Sequence, residues 1–542
     1  MESSLSRYIC GMRSILGPIC FLLIFSIQSA AQSKDCWVFV SSKTAEELIT
    51  SKFQSQIVGY SAWFNAYAIE GLPSNTSDAL YGIEMDSLVC YDDDEIYFSA
   101  ITALDRQDSV DVDSLENTES NYVQISILQG ELFAKQGLTG KGVTIGVLDA
   151  GYLGLKEDST LQHIFKENRV KATKDFVRGD ENVYRASNHG THVMSCLAGL
   201  DKFNQFGLAT GANFVLARAE QNYSAYLIRE ARWIQSLEWA VSQGAQIVTS
   251  SLIFSDQLFK RSQMNGQSML SKAAEKAWEK GILVLNSAGN SGDGYWEIIG
   301  APGDAEHVLT VGACNYSGYK SDFSSIGPTS DYRMKPNVVA LGDVFVSANN
   351  TVEMVSGTSF ACPMVAGFAA CVLEKYPNKR PADLWSEIQF SADLYPYYDY
   401  AHGYGIPQAS YFLNPELAMA DTHQVEIRFD RLSENLLEIK VLDSEFPGIT
   451  VTDSAVVDTL QVPLTEDIIS PPDTMNMDVM DYAFEENPHL LFLHIENDKG
   501  QLEEYWVVRP DGENGGMYDV YEYKGQTMRV FYRKRIFTFK IE

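Results

Sequence analysis

From Val143 onward the chain alternates short runs that are apolar at every position with longer runs whose apolar residues recur every three or four. The segments "VTIGVLD", "ANFVLARA", "AQIVTSSLI", "GILVLNSAG" and "HVLTVGAC" are of the first kind, as strands covered on both faces require. "LIREARWIQSLEWAVSQ" and "QSMLSKAAEKAWEK" are of the second, the stripe of an amphipathic helix. The alternation predicts an α/β unit with a parallel sheet over residues 122–420. Ahead of it, within residues 32–121, the strand-like "CWVFV" and "WFNAYAI" surround a helical "TAEELITSKF", predicting a small α+β unit. Asp92 to Glu119 then carries ten carboxylates against one Arg, the composition of an exposed linker. After the α/β unit, residues 421–542 return to strand patterns such as "HQVEIRF", "LLEIKVL", "LLFLHIE", "MRVFY" and "IFTFKIE", predicting an all-β domain built as a sandwich.

Charge and targeting signals narrow the function classes. A formal charge of −31, from 41 basic and 72 acidic residues, excludes a phosphate backbone as partner and disfavours an anionic membrane surface. It reads as solubility, with calcium as the other use of so many carboxylates; no loop has a recognisable calcium-ligand spacing, so a structural calcium stays open and no cofactor is required. Arg13, the apolar run Ile15 to Ile27 and the small residues Ser29 and Ala31 predict a cleaved signal peptide over residues 1–31. The run is shorter than the roughly 20 residues of a membrane span and holds Pro18, so no stable membrane insertion is expected. Beyond it, Cys36 and Cys90 can pair within the first unit, while Cys196, Cys314, Cys362 and Cys371 read as buried free thiols.

Four residues stand where an open α/β sheet gathers its chemistry, at the ends of strands and helices. Asp149 closes "VTIGVLDAG"; by itself it also suits a strand-end turn. His189 heads the small-residue helix "HGTHVMSCLAG" with His192 three residues on, but Gly190, Thr191 and the short spacing break the zinc-protease pattern His-Glu-x-x-His. Ser359 heads "SFACPMVAGFAACVLEKY", with Pro363 placed where a missing N–H costs little. A nucleophile there would attack beneath the positive end of a helix, with its own N–H aimed at the developing oxyanion, while Gly357 and Thr358 let substrate approach the backbone. Asn290, in "NSAGNSG", offers a second donor to that oxygen. A capping Ser and a turn Asn are the bland alternatives, and a nucleophile elbow is excluded because position 361 is Ala where Gly is needed.

In order, "IGVLDAG", "HGTHVMS", "GLATGANFVLARAE", "GAQIVTSSL", "NSAGN", "FSSIGPTSD", "KPNVVA", "SGTSFACPMVAG" and "GYGIPQA" give residues 122–420 a close resemblance to the secreted subtilisin-like serine proteases. The resemblance implies Asp149 as the carboxylate that orients an imidazole, His189 as general base and acid, Ser359 as nucleophile and Asn290 as oxyanion donor. It further implies that an extended peptide binds against Ser251 and Leu252 and against Ser287, Ala288 and Gly289. "WFNAYAI" resembles the inhibitory propeptide of a secreted branch, which makes residues 32–121 a propeptide and linker that acts as the chain's own inhibitor. The all-β tail takes the place of the sorting domains that some relatives carry for type IX secretion. Two residues depart from the family pattern. Ile253 stands where Gly is usual at the mouth of the pocket for the residue before the cut bond, and Ala150 replaces a common Ser or Thr.

The reading that follows is a secreted serine endopeptidase, made as a zymogen, acting on protein or peptide substrates. The competing reading is an inactive relative that binds without cutting because Ile253 closes its pocket; a metal-dependent hydrolase using His189 and His192 is a distant third.

Overall fold

A computed structural model describes residues 33–92, 106–108, 124–414, 425–443, 490–508 and 517–541, apart from 74, 203, 222–225, 257, 349 and 434–435. The expected signal peptide and most of the acidic stretch lie outside the described residues. The chain packs as two units, one of residues up to Tyr97 with the segment Ala225–Ala231, the other of the remainder.

In the first unit, β1 (Ser33–Val40), β2 (Ile57–Ser61), β3 (Ala66–Pro73) and β4 (Met85–Asp92) form an antiparallel sheet in the order β2-β3-β1-β4. Helix α1 (Lys43–Phe53) begins where the Ser42 hydroxyl accepts the Ala45 N–H, and buries Ala45, Ile49 and Phe53 in a core shared with Val38, Ile69 and Leu72. Cys36 and Cys90 face each other across β1 and β4 and are joined in a disulfide. Trp37 is buried on the opposite side of β1, and its indole N–H donates to Glu230 at 2.7 Å. The Tyr91 hydroxyl donates to the same carboxylate at 2.6 Å.

The second unit is built on seven parallel strands: β6 (Thr144–Asp149), β7 (Val170–Asp175), β8 (Asn213–Arg218), β9 (Ile247–Ser250), β10 (Leu283–Ser287), β11 (Leu309–Cys314) and β12 (Val338–Leu341). Their order is β12-β11-β10-β9-β6-β8-β7. Most of these strands are buried at nearly every position, which is why their sequences are apolar on both faces. Strand β6 lies between β8 and β9, with β8 and β7 to one side of it and β9 to β12 to the other, so the strand order reverses there, the place where open α/β sheets bind ligands beyond their carboxyl ends. Register brings Leu148 level with Ser250, and Ser250 level with Asn286. The ends of β6, β9 and β10 therefore share one rim.

Three helices matter to that rim: α2 (His189–Ala198), α3 (Tyr226–Ser242) and α4 (Met269–Glu279). A hairpin of β13 (Asp343–Ala348) and β14 (Thr351–Ser356) then feeds α5 (Thr358–Lys375). Every residue of α5 from Thr358 to Leu373 is buried. Its free thiols Cys362 and Cys371 are buried, as are Cys196 and Cys314, and burial pushes all four thiol pKa values up, Cys362 to about 12. Three residues of the stretch expected to be exposed linker are instead a strand: β5 (Arg106–Asp108) pairs antiparallel with β14, in the order β13-β14-β5.

The tail forms two antiparallel sheets. One contains β15 (Val425–Arg431), β16 (Leu436–Asp443) and β19 (Met517–Asp519), the other β17 (Leu491–Glu496), β18 (Leu502–Val508), β20 (Thr527–Tyr532) and β21 (Arg535–Lys540) in the order β18-β17-β20-β21. Both contribute to one core, with Leu437 and Ile439 from the first meeting Leu493, Met528 and Val530 from the second. A second apolar cluster joins this domain to the loop before Tyr398: Leu394 and Tyr397 pack with Leu490, Phe492 and Phe531. The His494 ring stacks on Tyr397 at 4.7 Å and its Nδ1 lies 2.6 Å from the Tyr398 carbonyl. Because Phe492 is buried in that contact, Phe492→Ala should cost about 3–5 kcal/mol. Urea unfolding should show a lowered midpoint, and limited proteolysis should release the tail sooner than from the unaltered chain.

Candidate active site

Asp149 is the last residue of β6 and is fully buried. Its Oδ1 accepts the Ala150 N–H at 2.7 Å and faces His189 Nδ1 at 2.8 Å. A carboxylate only accepts, so Nδ1 carries the hydrogen and Nε2 keeps its lone pair for another proton. Among the described residues no donor reaches Asp149 Oδ2. Ala150, which stands where Ser or Thr is common, thus supplies its N–H and no hydroxyl.

His189 is held at the first position of α2 by local packing. Its N–H donates to the Ser187 hydroxyl at 3.1 Å. Next to it, a Cβ at Gly190 would lie 2.4 Å from the Gly151 carbonyl and 2.8 Å from the Tyr152 ring, so only Gly lets the turn after Asp149 close against α2. The His189 ring lies 5.8 Å from the ring of Phe360, the residue after Ser359. His192 looks elsewhere: its Nε2 is 3.0 Å from Glu353 on β14 and 3.2 Å from the Asn188 amide. Burial lowers the His192 pKa, with Glu353 opposing that shift. The two histidines therefore serve different carboxylates.

Ser359 is the second residue of α5 and nearly buried. The expectation that Pro363 costs little is corrected here. Pro363 lies four residues beyond Ser359, so the donor that would take the Ser359 carbonyl in an α-helix is missing. The Ser251 hydroxyl replaces it, donating to that carbonyl at 2.8 Å. Asn290 is tied to the same turn: its Oδ1 accepts the Thr358 N–H at 2.9 Å and the Thr358 hydroxyl at 2.8 Å. A planar amide held by its oxygen turns its amino group the other way. Thr358 in turn accepts the Gly289 N–H at 3.2 Å. With the Phe360 N–H bonded to the Gly357 carbonyl, the Ser359 N–H is the first-turn donor for which the helix itself has no acceptor.

Ser251 and Leu252 follow β9, and Ser287, Ala288 and Gly289 end β10, on either side of this turn. The Leu252 carbonyl accepts from the Asn286 amide at 3.3 Å. The Ala288 carbonyl accepts from the Gly300 N–H and the Gly289 carbonyl from the Ser325 N–H, which hold this segment in place beside the turn. Ile253 is half-buried and lies over two glycines: a Cβ at Gly300 would be 2.5 Å from its Cγ2, and one at Gly289 would be 3.6 Å from its Cδ1. Its side chain narrows the space above them. Sequence reasoning gave no role to Gly300, Ser325 or Glu353, because their partners lie in distant segments.

Comparison with known proteins bears on residues 140–405, which match the model of the subtilase family, Peptidase_S8. Subtilisin DY of Bacillus licheniformis is 29% identical over 270 residues, 49% of this chain and 90% of that protein. Subtilisin E of Bacillus subtilis is 28% identical over 302 residues, 54% of this chain and 73% of that protein. Among solved structures, the epidermin leader peptide processing serine protease EpiP from Staphylococcus aureus superposes with a TM-score of 0.51 at 17% identity, covering 71% of this chain and 99% of that one, a likeness of fold alone.

The bond from Ser251 to the Ser359 carbonyl gives a direct test of the site's construction. Ser251→Ala leaves that buried carbonyl without a donor and should cost about 1–3 kcal/mol in urea unfolding. A loss below about 0.5 kcal/mol would show that the bond does not support the turn.

Proposed function

The chain belongs to the subtilase family through residues 140–405 and is a serine-type endopeptidase, and on that premise we propose that Asp149, His189 and Ser359 are its catalytic triad. The observation that carries the proposal is the hydrogen bond from His189 Nδ1 to the buried carboxylate of Asp149, with the His189 ring 5.8 Å from that of Phe360 in the same first turn as Ser359. In this reading His189 Nε2 takes the Ser359 proton as the hydroxyl oxygen bonds to the substrate carbonyl carbon. The Asn290 amino group and the Ser359 N–H stabilise the oxygen that becomes negative. His189 then protonates the leaving amine, and water, activated by the same ring, releases the acyl group from Ser359. Every proton passes through His189, so the chemistry needs no cofactor.

Finer elements of the reading are also proposals. The first unit acts as a propeptide that inhibits the enzyme until removed, the signal over residues 1–31 exports the chain, and the all-β tail is available for type IX sorting. No helix among the described residues is long and apolar enough to cross a membrane.

Kinetics on a fluorogenic peptide with the processed protein test the triad. Ser359→Ala should abolish turnover to background, Asp149→Asn should lower kcat about 10⁴-fold, and Asn290→Ala about 10²–10³-fold with little change in KM. Unaltered turnover in Asp149→Asn would overturn the assignment. The pocket is tested separately. With Ile253 over Gly289 and Gly300, the residue before the cut bond should be a small or mid-sized aliphatic. Ile253→Gly should raise kcat/KM for phenylalanine at that position by about 10–200-fold. Activity appearing only in Ile253→Gly, and none in the unaltered chain, would instead favour the closed-pocket reading.

A further inference from the structure

The register of β6, β8 and β7 sets Asp149, Arg218 and Asp175 in one row, each the last residue of its strand. Arg218 is buried, and its guanidinium reaches two oxygens. Nη1 donates to Asp175 Oδ2 at 2.9 Å, while Nε donates to the Ala150 carbonyl at 3.1 Å. Asp175 is buried as well and pinned by the main chain, its Oδ1 accepting the Val177 N–H at 2.8 Å and the Arg178 N–H at 3.0 Å. The carboxylate that pairs with the guanidinium is therefore Asp175, and Asp149 keeps its charge for the imidazole. Toward the strand of Asp149, Arg218 acts as a donor on a rigid fork.

That bond matters because of what Ala150 does for Asp149. Among the described residues Asp149 Oδ2 has no donor, so apart from the His189 ring the one donor on this carboxylate is the Ala150 N–H. Arg218 holds the carbonyl of the same residue, so Ala150 is gripped at both its polar groups. One residue on, the Gly151 carbonyl accepts the Gly190 N–H at 3.0 Å, next to His189. The short turn that joins the carboxylate to the helix of the imidazole is thus closed at one end by Gly190 and at the other by Arg218. We infer that Arg218 is a positioning residue for the triad, which aims the Asp149 carboxylate at His189 through the Ala150 peptide. The inference rests on Asp149, His189 and Ser359 being the triad, as proposed above. Arg218 touches no substrate and no reacting atom. Without it the Ala150 peptide can turn, its N–H leaves Oδ1, and the carboxylate rotates away from the imidazole it orients. Fewer molecules then hold His189 in the direction that proton transfer needs, a loss felt in the chemical step and not in substrate binding.

Arg218→Met alone would strand the buried Asp175 carboxylate, so the test pairs it with Asp175→Asn, which removes that charge and keeps an oxygen for the Val177 and Arg178 N–H groups. Turnover of a fluorogenic peptide is divided by the fraction of Ser359 that a fluorophosphonate labels at completion, so unfolded molecules are not counted. The double variant should lose about 10–10²-fold in kcat per labelled serine, with KM changed by less than about 2-fold. A residue that only supports the fold would lower the labelled fraction and leave turnover per labelled serine unchanged, and that result overturns the inference. So does a loss confined to KM. Asp149→Asn, measured beside it, separates the two claims. If Asp149→Asn loses about 10⁴-fold and the double variant loses nothing, Arg218 has no positioning role and the triad stands. If Asp149→Asn keeps full turnover, the triad assignment fails and the role of Arg218 fails with it.

Discussion

Helix α5 is buried on every side from Thr358 to Leu373, and the site depends on that constraint. A helix surrounded by protein has no solvent face, so it needs small residues wherever another element comes close, and Ala361, Ala366, Gly367, Ala369 and Ala370 supply them. At Gly367, even a methyl group would lie 3.3 Å from the Ala209 nitrogen and the Leu208 Cβ. An element held so closely cannot shift by an ångström to suit a substrate. Its first turn is therefore a fixed platform, and a hydroxyl placed there keeps its position relative to the ends of β6, β9 and β10. The sequence has a lone Ser before a run of small residues for this reason.

Fixing the helix creates problems that neighbouring residues solve. Pro363 leaves the Ser359 carbonyl without its helical donor, and Ser251 supplies one from the end of β9. The first-turn N–H of Thr358 is taken by Asn290 from the loop after β10. Each repair also ties a rim loop to the turn that carries Ser359, so the bonds that satisfy the helix end also align the groups around it. The Asp149 carboxylate follows the opposite logic. It is buried with one oxygen engaged and the other lacking a donor among the described residues, an arrangement that costs stability. In the proposed triad its negative charge acts chiefly on the adjacent imidazole, which would become cationic on accepting the serine proton.

Much of this was legible in the sequence because burial leaves a local signature. Strands covered on both faces read as unbroken apolar runs, and the residues that interrupt them at their ends, Asp149 and Asn290, stand out against that background. His189 and Ser359 were visible for the same reason, as polar heads on helices of small residues. Relations between distant segments were not legible. Nothing near Ile253 indicates that Gly289 and Gly300 approach it, and the consequence of Pro363 depends on a hydroxyl 112 positions earlier. His192 was visible as a histidine, but its partner Glu353 sits on a hairpin far along the chain. The acidic composition of residues 92–119 carries no information about β5, because main-chain pairing with β14 is independent of side-chain polarity.

In the proposed reading the buried helix presents Ser359 as the nucleophile of a preorganised site. The most direct test is to treat the processed protein with a fluorophosphonate, digest it and locate the adduct by tandem mass spectrometry, in native buffer and in urea. A single adduct on the Ser359 oxygen, formed in native buffer and lost in urea, is the expected result, since the reactivity comes from the fold. An adduct on another residue, or labelling of Ser359 that persists unchanged in the unfolded chain, would contradict it.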